Sequence, residues 1–522
     1  MTSEEEIYSF MGVEGERICY LGNESPKNAN TYPRKVDLNG KHIYPTLTDA
    51  HLHLLYSTVL SASNFDICQI SSDGEKPDNF EDLEKRVQTF CKDNPGQKII
   101  TANGYIVSAI REKRLPNRHE LDRWANGKAM IIYTIDGHSS AMSTALMEML
   151  KLDTKESDGI FTGAAHEFMQ GKVTDLLAST VTPKVLSRGL ANLSNLCASY
   201  GISRICSMDG YEDSDSDTMT RLVAFLASRM DLDVRMYPQY MDYERIEPFF
   251  KKQRFPRAGG CGTWELDGAV GSHSAAFTQP YKDNGTVAGC YYDSDKIEGK
   301  VREALDRGIR LTCHAIGEGA IDQIMDIYEK LADRIPRTGP YMRVDHFEFP
   351  SRKAVELIKK LRIALTVQPG FSWVDKRYLH SYEQFLSPEV IGKQLPLKEL
   401  MAADVCICGS SDSPVQSVNP YDQMLGMTQF YLEDQSLTPY EAMKTYTVNP
   451  AKMLGEFQDT GTLETGKYAD FFVTDTDIFR CVGTQITSVR AEYMIVRGKQ
   501  YQHKRGTVWE LVKMLLKHPK KI

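Results

Sequence analysis

The chain has 522 residues and a formal net charge of −8, because 70 Asp and Glu outnumber 62 Lys and Arg. This acidic balance excludes a basic surface for a nucleic-acid backbone, and a mean hydropathy of −0.38 without a long apolar run excludes a membrane protein. Eleven cysteines without a Cys-x-x-Cys motif are typical of free thiols in a reducing compartment.

The two ends of the chain both predict short strands. The acidic start, residues 1–6, is unlike a signal peptide, so we expect a cytoplasmic protein. Short β-like segments follow, too few for a sheet of their own, and similar segments occur near the other end. We therefore predict a small β-sandwich built from residues 1–45 and 451–522, in which the basic residues 517–521 form a solvated tail.

The middle of the chain, residues 46–450, alternates apolar β-like segments with helical ones. Helices are predicted at residues 321–331 and 351–361, and residues 67–125 and 150–190 are predicted insertions. Repeated strand-then-helix units indicate an α/β fold with a parallel barrel. The predicted strands are residues 129–134, 234–237, 309–314, 341–346, 363–368 and 405–409.

A His-x-His pair follows Pro45 in the segment Tyr44-Pro-Thr-Leu-Thr-Asp-Ala-His-Leu-His-Leu54. Side chains alternate between the faces of a strand, so His51 and His53 point the same way and can bind one metal ion. Two hydrogen-bonded histidines of the core or surface would give the same pattern.

Further metal-binding residue types end other predicted strands: His314, His346 and Asp412. The carboxyl ends of the strands of a parallel barrel meet at one mouth, so these side chains are expected to converge with His51 and His53. Imidazoles with a carboxylate suit zinc, with iron or manganese as alternatives, and leave a position for water.

Several motifs, in this order, resemble the amidohydrolase superfamily, and specifically the third amidohydrolase family, which includes N-substituted formamide deformylases. The resemblance covers nearly the whole chain and implies a distorted (β/α)8 TIM barrel with a small β-sandwich. It also implies that His51, His53, His314 and His346 are metal ligands and that Asp412 is the last ligand and the proton carrier. The motifs are Asp136-Gly-His-Ser-Ser-Ala141, Leu266-Asp-Gly-Ala-Val-Gly-Ser272, His314-Ala-Ile-Gly-Glu-Gly-Ala320, Val367-Gln-Pro369, Ser411-Asp-Ser-Pro414, Tyr446-Thr-Val-Asn-Pro450 and Gly461-Thr-Leu-Glu-Thr-Gly-Lys-Tyr-Ala-Asp470.

One departure from the family concerns the bridge between two metal ions. Relatives often carry a lysine four residues before the aspartate matched by Asp267, whereas this chain has Thr263 there. Glu265, on the same face of the strand, is expected to supply a bridging carboxylate instead; a buried ion pair or a substrate contact is the alternative. The number of metal ions, one or two, stays open.

The expected activity is hydrolysis of a carbon–nitrogen bond in a small amide or cyclic amide. A metal would activate water and Asp412 would act as general base and then general acid. The same residues are compatible with a deaminase of heterocyclic amines, with a lactonase or phosphotriesterase, and with a non-catalytic binding protein that keeps the fold.

Three residues are predicted to bind the substrate: His138, Gln368 and Trp373. His138 belongs to a family motif that would reach the barrel mouth, and the other two follow a predicted strand. A structural histidine and ordinary core packing are the respective alternatives. The expected partner is a small-molecule substrate; relatives imply a homodimer, and the oligomeric state is otherwise open.

Overall fold

A computed structural model describes residue 4 and residues 6–63, 65–68, 77–167, 169–214 and 216–522 of the chain. Its strands are β1 (Phe10–Glu14), β2 (Arg17–Gly22), β3 (His42–Pro45), β4 (Leu47–Leu52), β5 (Ile99–Tyr105), β6 (Ala129–Thr134), β7 (Ser139–Met142), β8 (Ile160–Thr162), β9 (Ile202–Asp209), β10 (Asp233–Pro238), β11 (Arg257–Glu265), β12 (Arg310–Ala315), β13 (Arg343–His346), β14 (Ala364–Val367), β15 (Ile407–Gly409), β16 (Phe471–Thr474), β17 (Tyr493–Val496) and β18 (Lys499–Gln500).

The helices include the two that the sequence predicts at residues 321–331 and 351–361. The second of these begins where the Ser351 side chain accepts a hydrogen bond from the backbone N–H of Ala354, a standard N-cap. The α-helices are α1 (Leu54–Ser63), α2 (Phe80–Asp93), α3 (Arg118–Trp124), α4 (Thr144–Met149), α5 (Ala164–Glu167), α6 (Gln170–Ser179), α7 (Pro183–Ser199), α8 (Thr218–Ala227), α9 (Tyr243–Phe250), α10 (Ser294–Asp306), α11 (Glu318–Lys330), α12 (Arg352–Leu361), α13 (Pro369–Val374), α14 (Ser381–Phe385), α15 (Pro388–Ile391), α16 (Leu397–Ala402), α17 (Pro420–Thr428), α18 (Pro439–Tyr446), α19 (Val448–Met453) and α20 (Val508–Leu515).

Eight parallel strands form the centre of the molecule, in two sheets. One sheet has the order β10-β9-β4 and the other β11-β12-β13-β14-β15. A parallel bridge between Leu52 and Ser413 joins the sheets at one seam, whereas no ladder joins β10 to β11 among the described residues. The predicted α/β fold with parallel strands is confirmed, and the ring of backbone hydrogen bonds is interrupted at the second seam.

A separate mixed sheet, β5-β6-β7-β8, lies between β4 and β9 in the chain. It contains residues 129–134, which the sequence analysis placed among the barrel strands, and that placement is wrong. The reason is that an apolar run indicates a buried strand but not the sheet to which the strand belongs. The parallel strand β9 was missed because it contains polar residues, such as Arg204 and Ser207, that are nevertheless buried.

Strands from both ends of the chain share one antiparallel sheet of order β18-β17-β16-β3. Phe471 pairs with Pro45 and Phe472 with Tyr44, so the strand that precedes β4 is held by the far end of the chain. The hairpin of β1 and β2 contacts the same region through a bridge between Arg17 and Tyr468. The exact limits of the domains, 1–45, 46–450 and 451–522, stay predictions. None of the described helices has the length and apolarity needed to cross a lipid bilayer.

A buried ionic cluster lies near the amino ends of β9 and β10. Glu456 accepts hydrogen bonds from Arg235, with Nε and Oε1 2.6 Å apart, and pairs with Arg204 at 3.4 Å. The two arginines outweigh the effect of burial and lower the pKa of Glu456 to about 2. Lys520 pairs with the buried Asp233 at 2.8 Å.

The carboxyl-terminal segment is exposed along most of residues 517–521, as predicted, but it is anchored at two points. Lys520 pairs with the buried Asp233, and Ile522 is buried while its carbonyl accepts a hydrogen bond from Arg257. The sequence did not predict these anchors, because a run of lysines does not reveal that a buried carboxylate elsewhere pairs with one of them.

Replacement of Glu456 tests this cluster. We expect Glu456→Gln to lower the free energy of unfolding by about 3 kcal/mol at pH 7, since the buried Arg235 loses its ion-pair partner and the buried Arg204 loses one of two. Because the folded-state pKa lies below the ordinary value, the stabilisation is present above about pH 4.5 and is lost as the pH falls towards 2. Denaturant unfolding at pH 7 and pH 4 measures both effects.

The control is Asp231→Asn, which removes a partly exposed carboxylate that pairs with Lys504 and Lys517. Its cost should stay below about 1 kcal/mol, as for exposed ion pairs. Equal losses in the two variants would contradict a special role for the buried cluster.

Candidate metal centre

His51 and His53 lie at the carboxyl end of β4, with ring centroids 5.5 Å apart. His51 Nδ1 donates to the Asp345 carboxylate at 3.0 Å, and His53 Nδ1 donates to the Met208 carbonyl at 3.1 Å. The Nε2 atoms of the two rings both face Asp412, and each lies 3.3 Å from its Oδ1. The sequence prediction that these two rings and Asp412 share a site agrees with this geometry.

His314 and His346 occupy the corresponding ends of β12 and β13. Their ring centroids are 4.3 Å apart, and the ring of His346 lies 5.3 Å from that of His51. Burial holds the pKa of His314 well below its ordinary value and lowers that of His346 to about 4. Both rings are therefore neutral at physiological pH, which is the form that binds a metal.

The donor atoms of this second pair fit a metal ion. His314 Nε2 donates to the Gly268 carbonyl and His346 Nδ1 donates to the Gln368 amide oxygen. The remaining ring atoms, His314 Nδ1 and His346 Nε2, are buried and have no hydrogen-bond partner among the described residues. Metal-binding histidines usually have one nitrogen held by an oxygen and the other free, so the residues present suit a divalent cation.

Cys261 is a further candidate ligand that the sequence analysis missed. Its Sγ lies 3.4 Å from His51 Nε2. Its sulfur falls within 4.8 Å of the donor atoms of His51 and His53, and equally of those of His314 and His346. The thiol thus lies between the two histidine pairs, where a bridging ligand would be needed.

A bulge in β11 explains why Cys261 was missed. Gly260 pairs with Cys313 and Glu265 with the next residue, His314, so residues 261–264 leave the ladder and simple alternation fails. The available signal was the glycines on either side of Cys261, because glycine inside a strand marks a bulge or a close backbone approach. Gly260 has φ +117°, a conformation that suits glycine alone.

Glu265 lies in a different group from the four histidines. Its carboxylate shares a 4.8 Å cluster with His138 and Glu167. His138 Nδ1 donates to Glu167 at 2.8 Å, and the His138 ring lies 4.9 Å from that of His314. We call these three residues the acidic cluster. Glu167 was not a candidate in the sequence, because it lies in the short helix α5 outside the parallel strands.

Gln368 and Trp373, predicted to bind substrate, do not line the cavity at this site. Gln368 lies behind His346 and donates in turn to Ser410 Oγ at 2.8 Å. The Trp373 indole N–H donates to Gln429, and Arg377 stacks on its ring. We therefore assign Gln368 to holding a ligand ring and leave both residues out of the substrate site.

The cavity has a volume of about 1000 Å³ and opens onto both groups of residues. His53, Cys261, His314 and Asp412 line it, together with the acidic cluster. Hydrogen bonds from His51 and His53 outweigh burial and hold the pKa of Asp412 well below its usual range, so this carboxylate is ionised. The arrangement can bind a cation, activate water and transfer a proton within one enclosed space.

The chain belongs to the amidohydrolase family, whose model Amidohydro_3 matches residues 34–502. It is similar to the putative amidohydrolase YtcJ of Bacillus subtilis (strain 168), with 22% identity over 94% of this chain and 97% of that protein. It is also similar to the N-substituted formamide deformylase of Arthrobacter pascens, with 23% identity over 93% of each chain. Among solved structures, an uncharacterised metal-dependent hydrolase from Pyrococcus furiosus aligns with a TM-score of 0.66 and 22% identity, over 90% of this chain and 95% of that chain.

Gln368 provides a test of the metal centre that leaves every candidate ligand in place. Gln368→Leu removes the acceptor for His346 Nδ1, and we expect the metal affinity to fall by about 10- to 100-fold. Gln368→Glu keeps an acceptor and should restore most of the affinity. Competition with a chelating dye measures both; unchanged affinity in the leucine variant would contradict the assigned role.

The pH dependence of metal binding provides a second test. Burial by itself lowers the pKa of His51, but the carboxylates of Asp345 and Asp412 have the larger, opposite effect, and the pKa is raised to about 9. Below that pH a proton competes with the metal for this ring, so the apparent affinity should rise about tenfold per unit between pH 7 and 9. An affinity that is flat over this range would show that His51 is not a ligand.

Proposed function

We propose that the chain is a metal-dependent hydrolase that cleaves a carbon–nitrogen bond of a small amide or cyclic amide. The observation that carries this proposal is the close approach of donor atoms from two histidine pairs, His51 with His53 and His314 with His346, to Cys261, and of Asp412 to the first pair, beside one cavity. Membership of the amidohydrolase family and similarity to a protein named N-substituted formamide deformylase support the choice of bond.

The eight parallel strands are proposed to act as a distorted (β/α)8 barrel. The proposed ligands then come from five strands. His51 and His53 lie at the carboxyl end of β4, Cys261 lies in the bulge of β11, and the remaining ligands lie at the ends of β12, β13 and β15. The interrupted seam between β10 and β11 lies next to the bulge that carries Cys261. The irregular pairing of β11 therefore places Cys261 at the proposed site.

The metal would be held by His51, His53, Cys261, His314, His346 and Asp412, a nitrogen, sulfur and oxygen donor set that suits zinc. Cys261 belongs to both candidate groups, so these residues could hold two ions, and Glu265 would take part only if the acidic cluster held metal as well. When bound, the metal supplies a Lewis acid for the carbonyl and lowers the pKa of a water molecule.

Asp412 is the residue that transfers the proton in the proposed reaction. Its carboxylate is ionised and faces the cavity, so it can accept a proton from the attacking water. The same carboxyl group then gives this proton to the departing nitrogen, which leaves as an amine while the carbonyl fragment becomes a carboxylate. The backbone of Asp412 is in the left-handed region, with φ +56°.

The test is Asp412→Asn with a panel of N-formyl, N-acetyl and cyclic amides. We expect the metal content to persist and kcat/KM to fall by about 100- to 10,000-fold, because the proton carrier is lost. Release of amine and carboxylate is measured with and without a chelator. A variant with near wild-type turnover would rule out this role for Asp412, and release of ammonia from heterocyclic amines alone would identify a deaminase.

A further inference from the structure

The acidic cluster is not used in the reaction described above. Glu167 and Glu265 are both buried, with 5% and 4% of their surfaces exposed, yet both line the cavity. Their carboxylates and His138 lie within 4.8 Å of one another. Two carboxylates at such a distance in a buried site repel each other unless a proton or a positive charge lies between them. Burial and Glu167 both raise the pKa of Glu265 well above its ordinary value.

The protein itself supplies little positive charge at this point. Among the described residues, His138 is the one basic side chain within ion-pair distance of Glu167, at 2.8 Å, and no lysine, arginine or histidine lies within that distance of Glu265. Oε1 of Glu265 accepts from the backbone of Gly262, while Oε2 is buried and no donor among the described residues reaches it. The cluster thus has one oxygen ready for a donor that comes from outside the protein.

The surroundings of the cluster favour an organic cation. Tyr211 lines the same cavity, and burial together with Tyr56 and Glu265 raises the pKa of its phenol well above the ordinary value, so the ring stays neutral beside the carboxylates. An aromatic face next to two carboxylates is the usual setting for an ammonium group. The basic Lys504 also lines the cavity, but it pairs with Asp231.

We propose that Glu265 and Glu167 form a subsite for a positively charged nitrogen of the substrate, so that the enzyme prefers amides that carry a primary ammonium group on a short spacer. The ring centroids of His138 and His314 are 4.9 Å apart, so the subsite adjoins the candidate metal centre. The spacer between the amide and the ammonium group is therefore short. This inference rests on the proposed amide hydrolysis and adds that the preferred substrate carries a positive charge.

The experiment compares two formamides of matched shape, N-formyl-1,3-diaminopropane and the neutral N-formylbutylamine. Binding is measured by calorimetry on the metal-loaded Asp412→Asn variant, and formate release on the wild type. We expect the cationic compound to bind about tenfold more tightly or better, as for a charge-assisted hydrogen bond, and to have the higher kcat/KM.

Glu265→Gln is the decisive variant. In both backgrounds, Glu265→Gln should lower the affinity and the kcat/KM of the cationic compound to those of the neutral one. The matched control is Glu318→Gln, another buried glutamate, which pairs with Lys393 and does not line the cavity; it should leave the preference intact.

The outcomes separate the two proposals. Tighter binding of the cationic compound without hydrolysis of either would support the subsite and overturn the amide hydrolase. Equal binding of both compounds, or a Glu265→Gln variant that affects both equally, would overturn the subsite. Loss of one equivalent of metal in Glu265→Gln would also overturn it, since Glu265 would then be a metal ligand.

Discussion

The structure depends on a buried ionic chain through the parallel strands, from Arg343 to Asp345 to His51. Arg343 and Asp345 are fully buried on β13, and Arg343 also donates to the carbonyl of Ala50 at 3.0 Å on β4. Asp345 takes the N–H of His51 at 3.0 Å. A buried charge pair stabilises only when every partner is in place, so this chain fixes β4 and β13 against each other. It thereby fixes the ring of His51, the first candidate metal ligand, at the carboxyl end of β4.

The other candidate ligands are held in the same way by weaker partners. Backbone carbonyls accept from His53 and His314, and the Gln368 amide oxygen accepts from His346, so each imidazole has a fixed orientation. His346 and Asp412 both have positive φ, at +72° and +56°, a conformation with an energetic cost for residues other than glycine. Strain at two residues of one site is consistent with a backbone shaped for ligation, since the surrounding strands supply the compensating stability.

The cavity combines two chemically different halves. One half consists of neutral imidazoles, a thiol and an ionised aspartate, and the other of two buried glutamates with His138. The second half comes mainly from the inserted region between β4 and β9, which supplies Glu167 and His138. In barrel enzymes the catalytic groups belong to the strand ends and specificity to the added segments, because additions at the mouth leave the core unchanged. The division of residues here follows that pattern.

The sequence alone predicted that His51, His53, His314, His346 and Asp412 share one site. Each lies at or just after the end of an apolar segment, and the carboxyl ends of parallel strands meet at one edge. It also determined the α/β class, from the alternation of strands and helices. Only the tertiary structure decided the positions of Cys261, Glu167 and Gln368. Cys261 lies in a bulge that breaks the period of two, Glu167 reaches the site from a separate region, and Gln368 turns towards His346 rather than the cavity. Periodicity describes one segment at a time, whereas these three positions depend on how distant segments pack together.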